Sequence, residues 1–198
     1  MALVAALLLA LGLAARAESP GRVVLAAVGD IRLDGPVGAL IKARGPAYPT
    51  SALGSALAGD IVFGNLECPV TRRGVKQAKT WNFRAPAKNL AALKGFTLVS
   101  VANNHSWDYG ERGFLDTLAA LKKRRLPYVG GGKDLAEAEK LRVIVSSGVR
   151  VGFMAFTSTF PKEAWARRRK PGVAYSDFAR FPEVVRKARK EYTTLPLT

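Results

Sequence analysis

The feature that most constrains the fold is the stretch at residues 98–110, where an apolar run breaks into a cluster of polar side chains. The run carries no charge and alternates little, which is typical of a strand buried on both faces of an α/β sheet. The polar cluster consists of Asn103, Asn104, His105, Ser106 and Asp108. Open α/β sheets bind ligands at the carboxyl ends of their strands, so this turn lies where such a fold has its active site. The alternative is a strand-to-helix turn whose Asn and Asp side chains cap the next helix.

Two earlier apolar runs also end in an acid. Residues 22–28 predict the first strand, followed by Gly29 and Asp30, and residues 60–66 predict the second, followed by Glu67. Residues 98–102 form the third predicted strand, and a short fourth is predicted at 126–129. Parallel strands with helical crossovers between them indicate an α/β fold with a central mixed sheet.

The ends of the first three strands suggest one shared site. Because the carboxyl ends of parallel strands meet at one edge of a sheet, we expect Asp30, Glu67, Asn104 and His105 to gather there. Oxygen ligands and an imidazole suit a divalent metal, which can polarise a phosphoryl group or generate a hydroxide nucleophile. The alternative is that these side chains only cap helices and shape turns.

Other sequence patterns predict the remaining helices and strands. Apolar residues at helical spacing predict an amphipathic helix over residues 111–125, with basic residues in its last turn. Further predictions are helical segments at 53–58, 89–94, 135–139 and 182–192, an extended segment at 78–86, and a hairpin of strands at 141–146 and 151–157. Residues 130–132 are three glycines before a short helix, which can cradle a phosphate. Without the spacing and lysine of a phosphate loop, a tight turn is favoured.

The amino terminus predicts export. Residues 2–15 are an uninterrupted apolar run, followed by Ala15-Arg16-Ala17, the small-x-small pattern of a signal peptidase site. The run is shorter than the ~20 residues that a membrane span needs. We therefore predict a signal peptide over residues 1–17, a domain over 22–192, and a location in the cell envelope, the periplasm or the medium. No Lys or Arg precedes the run, so an uncleaved anchor or a misplaced start codon stays an alternative.

The charge balance bears on partners. The chain has 31 Lys and Arg against 15 Asp and Glu, a formal net charge of +16. Outside the cytoplasm such an excess favours an acidic exopolymer, a cell-wall polyanion or an anionic lipid surface, with peripheral envelope association and no specific nucleic-acid partner. The alternative is a solvated basic surface. The single cysteine, Cys68, excludes an internal disulfide.

Four stretches carry a family resemblance. They are GD at 29–30, DIVFGNLECPVT at 60–71, LVSVANNHSWDYGERGFLDTL at 98–118 and VGGGKDLAEAE at 129–139. In order and spacing they resemble the CapA family of capsule (poly-γ-glutamate) synthesis proteins, with ANNH-x-x-DYG as the most specific part. The resemblance runs from about residue 23 to 157. It implies the fold of the calcineurin-like metallophosphatases, a layered α/β/β/α sandwich with two metals at the strand ends.

The resemblance also implies roles for individual residues. Asp30, Glu67 and Asn104 would be ligands of divalent ions such as Mn, Zn or Fe. His105 would contact or protonate the leaving group, and Asp108 would orient His105. These roles make an exported, metal-dependent hydrolase of the phosphoesterase type, acting in capsule or exopolymer metabolism. The second function class is a non-catalytic accessory protein whose basic surface binds an acidic polymer.

Two departures from the family pattern weaken the metal site. The first motif of metallophosphatases has a histidine two residues after its Asp, where this chain has Arg32. Such proteins also complete the site with later histidines, in HWG-like and G-x-H-P-H-like segments, and this chain has none after His105. We therefore expect an incomplete site and a domain truncated at its carboxyl terminus.

Overall fold

The computed structural model describes residues 21–159 and 161–194, so the predicted signal peptide lies outside the described residues. The described strands are β1 (Leu25–Ile31), β2 (Ile61–Leu66), β3 (Leu98–Ser100), β4 (Tyr128–Val129), β5 (Gly131–Gly132), β6 (Arg142–Ser146), β7 (Val149–Phe153) and β8 (Gly172–Val173). The α-helices are α1 (Gly35–Arg44), α2 (Gly110–Lys123), α3 (Leu135–Ala138) and α4 (Phe181–Thr194). Short 3-10 helices lie at Tyr48–Thr50, Gly54–Leu57, Ala87–Leu93 and Lys162–Ala164.

The central sheet has the strand order β1-β2-β3-β4, and every neighbouring pair is parallel. All four carboxyl ends therefore point to one edge, which confirms the predicted α/β class. The sheet was expected to be mixed, but its described strands are all parallel. The antiparallel strands β6 and β7 form a separate hairpin. Its turn contains Ser147 and Gly148, both at positive φ, which gives the twist that two-residue hairpin turns need.

Each face of the sheet is covered by a different layer. On one face, Leu66 and Val99 pack with Phe114 and Leu121 of α2, and the Ala87–Leu93 helix joins the same cluster. On the other face, Ile61 and Leu98 pack against the β6–β7 hairpin. Leu98 and Val99 serve opposite layers because successive strand residues point to opposite faces. This α/β/β layering is consistent with a metallophosphatase-like fold.

Helix α2 forms where the apolar spacing predicted it. Phe114, Leu118 and Leu121 recur on one face and are almost fully buried. Glu111 lies in the first turn, and Lys122 and Lys123 lie in the last turn, where each charge complements the helix dipole. The amino terminus of α2 directly follows the polar turn, so this helix holds the turn against the sheet.

Three details differ from the sequence-based expectations. Helix α1 was not predicted, although a proline near its start and Asp34 at its N-cap position are a standard helix-start signal. Residues 78–86 contain only one bridge, between Ala85 and Val70, and no strand. Gly131–Gly132 is strand β5, paired with β8, and not a tight turn. A Cβ at Gly132 would lie 2.5 Å from the Ala138 nitrogen, so glycine is needed there for close packing with α3.

Within residues 21–159 and 161–194, no helix has both the length and the apolar character needed to cross a bilayer.

Candidate functional site

The first acid of the site, Asp30, lies inside strand β1. We expected it just after the strand, but the pairing with β2 continues to Ile31 beyond a register shift between Ala27 and Asp30. The shift is a bulge-like irregularity, and bulges are a common way to re-aim a side chain near a site. Asp30 pairs in register with Asn65, whose Nδ2 donates to Asp30 Oδ1 at 2.7 Å. The Asp30 carboxylate is therefore tied to β2.

Asn103 organises the polar turn after β3. Its side-chain oxygen accepts hydrogen bonds from the backbone nitrogens of His105 and Ser106, each at 3.0 Å. Its Nδ2 donates to Asn65 Oδ1 and to the Leu66 carbonyl oxygen, each at 3.0 Å. Buried amides need such partners, and here the partners connect the turn to the end of β2. One chain of hydrogen bonds thus runs from Asp30 to the backbone of His105.

His105 is held by a buried carboxylate. Its Nδ1 lies 2.8 Å from Oδ2 of Asp108, a side chain that is 0% exposed. The same Oδ2 accepts from the Phe83 backbone nitrogen at 2.6 Å, and Lys79 forms an ion pair with Oδ1. A carboxylate in contact with Nδ1 favours the imidazole tautomer in which Nδ1 donates and Nε2 can accept. The structure thus brings Asp108 into contact with His105, and the orienting role that the resemblance implies stays a prediction.

Phe83 joins His105 to Arg32. The Phe83 ring stacks on His105 with 3.9 Å between ring centroids, and the Arg32 Cζ lies 3.6 Å from the Phe83 centroid. Two groups this close to one centroid must lie on opposite faces of the ring. Arg32 Nε also donates to Asp34 Oδ1 at 3.1 Å. Arg32, which stands where the metallophosphatase pattern has a histidine, is therefore a positioned cation beside the site.

Glu67 lies at the end of β2, half-buried, with its backbone nitrogen bonded to the Ile31 carbonyl oxygen at 3.0 Å. Burial raises the pKa of the Glu67 carboxyl above its ordinary value, and the nearby Asp30 carboxylate raises it further. The Arg32 guanidinium, and the His105 imidazole in its protonated form, act in the opposite direction. Glu67 is thus coupled electrostatically to Asp30, His105, Arg32 and Asp108 at this edge of the sheet.

Asn104 contributes to the site through its backbone. Its carbonyl oxygen accepts a hydrogen bond from Lys79 Nζ at 2.9 Å, and its side chain is half-buried. The structure therefore brings Asp30, Glu67, Asn104 and His105 to the same edge of the sheet. Their roles as ligands and acid stay predictions.

The donor set does not fit the two-metal centre that the fold family implies. Among the described residues, no group of three or more His, Cys, Asp or Glu side chains is arranged to hold a metal ion. One oxygen of Asp30 already accepts from Asn65, and Nδ1 of His105 is bonded to Asp108. A two-metal centre has to coordinate both ions, and two carboxylates with one amide oxygen leave most coordination positions of such a pair open. We therefore derive no catalytic step through a metal.

Several residues of the site were not identified from the sequence. Asn65 had a usable signal, since it lies two residues before Glu67 and strand alternation gives both the same face. Lys79 and Phe83 had none, because they come from a loop more than 20 residues before the turn that they contact. Tertiary packing alone brings that loop to His105.

Comparisons with known proteins all point to one protein family. The model of the family described as "Bacterial capsule synthesis protein PGA_cap" matches residues 24–195. The "Capsule biosynthesis protein CapA" of Bacillus anthracis is 32% identical over 158 residues, which cover 76% of this chain and 38% of that protein. The "PGA biosynthesis protein CapA" of Bacillus subtilis (strain 168) is 36% identical over 138 residues, 67% of this chain and 36% of that protein.

A further relative comes from Mycobacterium tuberculosis. This "probable polyglutamine synthesis accessory protein" is 32% identical over 149 residues, which cover 72% of this chain and 39% of the relative. The aligned part of the chain thus spans less than two fifths of the length of each of these relatives.

Proposed function

Because this chain belongs to the PGA_cap family of bacterial capsule synthesis proteins, we propose that it works outside the cytoplasm in the synthesis of an acidic exopolymer of the poly-γ-glutamate kind. The proposed site of this function is the edge of the sheet where His105 and Asp108 lie near Glu67 and Asp30. Relatives named for PGA and polyglutamine synthesis support the polymer class.

The observation that carries the proposal is the buried pair of His105 and Asp108. Burying an ionised carboxylate without a partner costs free energy of folding. The buried position of Asp108 against the His105 imidazole therefore favours a role in orienting that ring. With Nδ1 bonded to Asp108, the second ring nitrogen can accept a proton or a hydrogen bond. This is the chemistry of an acid or base group acting on a ligand at the strand ends. Divalent ions such as Mn, Zn or Fe would bind only weakly at Asp30, Glu67 and Asn104.

A second function is favoured by a different observation. The net charge of +16 and the absence of a three-ligand metal group among the described residues both suit a non-catalytic accessory protein that binds an acidic polymer or a cell-wall polyanion by charge. Both functions require contact with an anionic chain, and they differ in whether that chain or its precursor is chemically altered.

Polymer binding is the direct test of the shared requirement. We expect the 198-residue chain to bind poly-γ-glutamate in about 50 mM salt and to lose most of that affinity near 500 mM, because screening weakens contacts between exposed charges. Isothermal titration at several salt concentrations measures this, with uncharged polyglutamine as the control polymer. Equal affinity for the two polymers, or no binding at low salt, would remove the proposal. Cleavage of the polymer or of a phosphoester would favour the hydrolase over the accessory protein, provided that a chelator stops the reaction.

Export has its own test. We expect the mature protein to begin at Glu18, because a signal peptidase that recognises Ala15-Arg16-Ala17 cuts after Ala17. Mass spectrometry of protein recovered from outside the cytoplasm determines the amino-terminal residue. An intact Met1 in the membrane fraction would indicate an uncleaved anchor instead.

A further inference from the structure

We infer that residues 72–84, the basic loop, form the surface across which a carboxylate-rich chain approaches His105. This inference rests on the proposed function, since it names the part of the site that would contact the acidic polymer. It assigns a binding role to a segment in which the sequence analysis singled out no residue.

All the charged side chains of the basic loop are positive. Its 13 residues, RRGVKQAKTWNFR, contain no acid. The cations are Arg72, Arg73, Lys76, Lys79 and Arg84. Two of them are used internally, since Arg73 pairs with Asp116 and Lys79 pairs with Asp108. Arg72 and Lys76 are exposed and form no ion pair with another described residue, so their charges are available to a ligand.

The basic loop is held against the polar turn by hydrogen bonds and close backbone packing. Lys79 Nζ donates to the Asn104 carbonyl oxygen at 2.9 Å, and the Gln77 nitrogen bonds to the Asp108 carbonyl oxygen at 3.0 Å. Gly74 has a φ of 92°, and a Cβ there would collide with the Tyr109 carbonyl oxygen, so the backbone passes directly over the polar turn. The basic loop therefore lies directly against the polar turn that carries His105.

The start of the basic loop is anchored as well. Asp116 of α2 accepts from Thr71 Oγ1 at 2.6 Å and from Arg73 Nε at 3.0 Å. The hydrogen bond from Arg73 lowers the pKa of Asp116 below its ordinary value, as expected for a carboxylate held by a guanidinium. Binding to a pre-ordered loop avoids the cost of ordering it on contact.

Exposed apolar groups on the loop suit a chain with both charge and methylene segments. Trp81 is 69% exposed and Val75 is 78% exposed, both high values for large apolar side chains. A poly-γ-glutamate chain carries a carboxylate and a short apolar stem in each unit, so Trp81 can cover the stems while Arg72 and Lys76 pair with carboxylates. A lipid surface is a poorer fit, because interfacial binding is usually built from an amphipathic helix with a continuous apolar face.

The experiment compares two matched double variants. Arg72→Ala/Lys76→Ala removes two exposed cations that form no ion pair with another described residue, and Arg186→Ala/Lys190→Ala removes two exposed cations from α4, whose Tyr192 is bonded to Arg150 of the β6–β7 hairpin. We expect the first variant to bind poly-γ-glutamate roughly tenfold more weakly than the unmodified chain, and the second to change affinity by about twofold or less. The charge-reversal variant Arg72→Glu/Lys76→Glu should weaken binding further. Circular dichroism and thermal melting show that each variant is folded.

The outcomes separate this inference from the proposed function. Equal loss in the two double variants would overturn the basic loop as the binding surface while leaving polymer binding in place. No binding by the unmodified chain would overturn both. Binding of phosphatidylglycerol vesicles in preference to the polymer, with the loss confined to the basic-loop variant, would assign the loop to a membrane and overturn the polymer as its ligand.

Discussion

Replacing Asp108 with alanine is expected to lower the free energy of unfolding by about 3–5 kcal/mol at neutral pH, the cost typical of breaking a buried ion pair from one side. Asp108 is 0% exposed, and its carboxylate is bonded to His105, Lys79 and the Phe83 backbone nitrogen. Without it, the Lys79 charge and the Phe83 N–H lose their partner in a partly buried environment. Urea unfolding of the variant and the unmodified chain under one buffer measures the difference.

Asp116→Ala is the matched control for Asp108→Ala. Asp116 is likewise an ion-paired carboxylate, but its partner, Arg73, is 58% exposed. Solvent screens this pair, so we expect a loss of about 1 kcal/mol. Similar losses for the two variants, or a loss under about 1 kcal/mol for Asp108→Ala, would contradict the view that the buried carboxylate holds the basic loop on the polar turn.

Metal binding is the second large expected effect. We expect Mn²⁺ or Zn²⁺ to bind the 198-residue chain with a dissociation constant on the order of 0.1 mM or weaker, since few oxygen ligands converge. Two ions held about 4 Å apart are the requirement for two-metal phosphoryl transfer. With Asp30, Glu67 and Asn104 as the candidate ligands among the described residues, hydrolysis of an aryl phosphate should stay close to the rate in buffer. Calorimetric titration of each metal and a colorimetric assay measure the two quantities.

The control for the metal experiment is His105→Ala. If the residual hydrolysis comes from contaminating enzyme or from free metal, this variant and the unmodified chain have equal rates. Tight binding of two ions, together with multiple turnovers that His105→Ala abolishes, would contradict the expectation and would show that the described carboxylates support a working metal centre.

Local pattern was sufficient for the elements that flank the site. The helix behind the polar turn, the four parallel strands and the β6–β7 hairpin were all predicted from apolar periodicity and turn residues, because burial on one face or two leaves a repeat in the chain. Strand ends were less accurate, as Asp30 shows, because the extent of pairing depends on the neighbouring strand. The family match over residues 24–195 confirms the resemblance found in the ANNH-x-x-DYG segment.

The sequence by itself determined the fold class and the family, since these depend on side-chain types at fixed short spacings. It also placed Asp30, Glu67 and His105 at one sheet edge, because parallel topology aligns strand ends. Only the tertiary structure decided how those groups are held. The stack of Arg32 and Phe83 on His105, and the pairing of Lys79 with Asp108, join residues that are far apart in the chain. No local repeat encodes such contacts, since they arise from packing between separate elements.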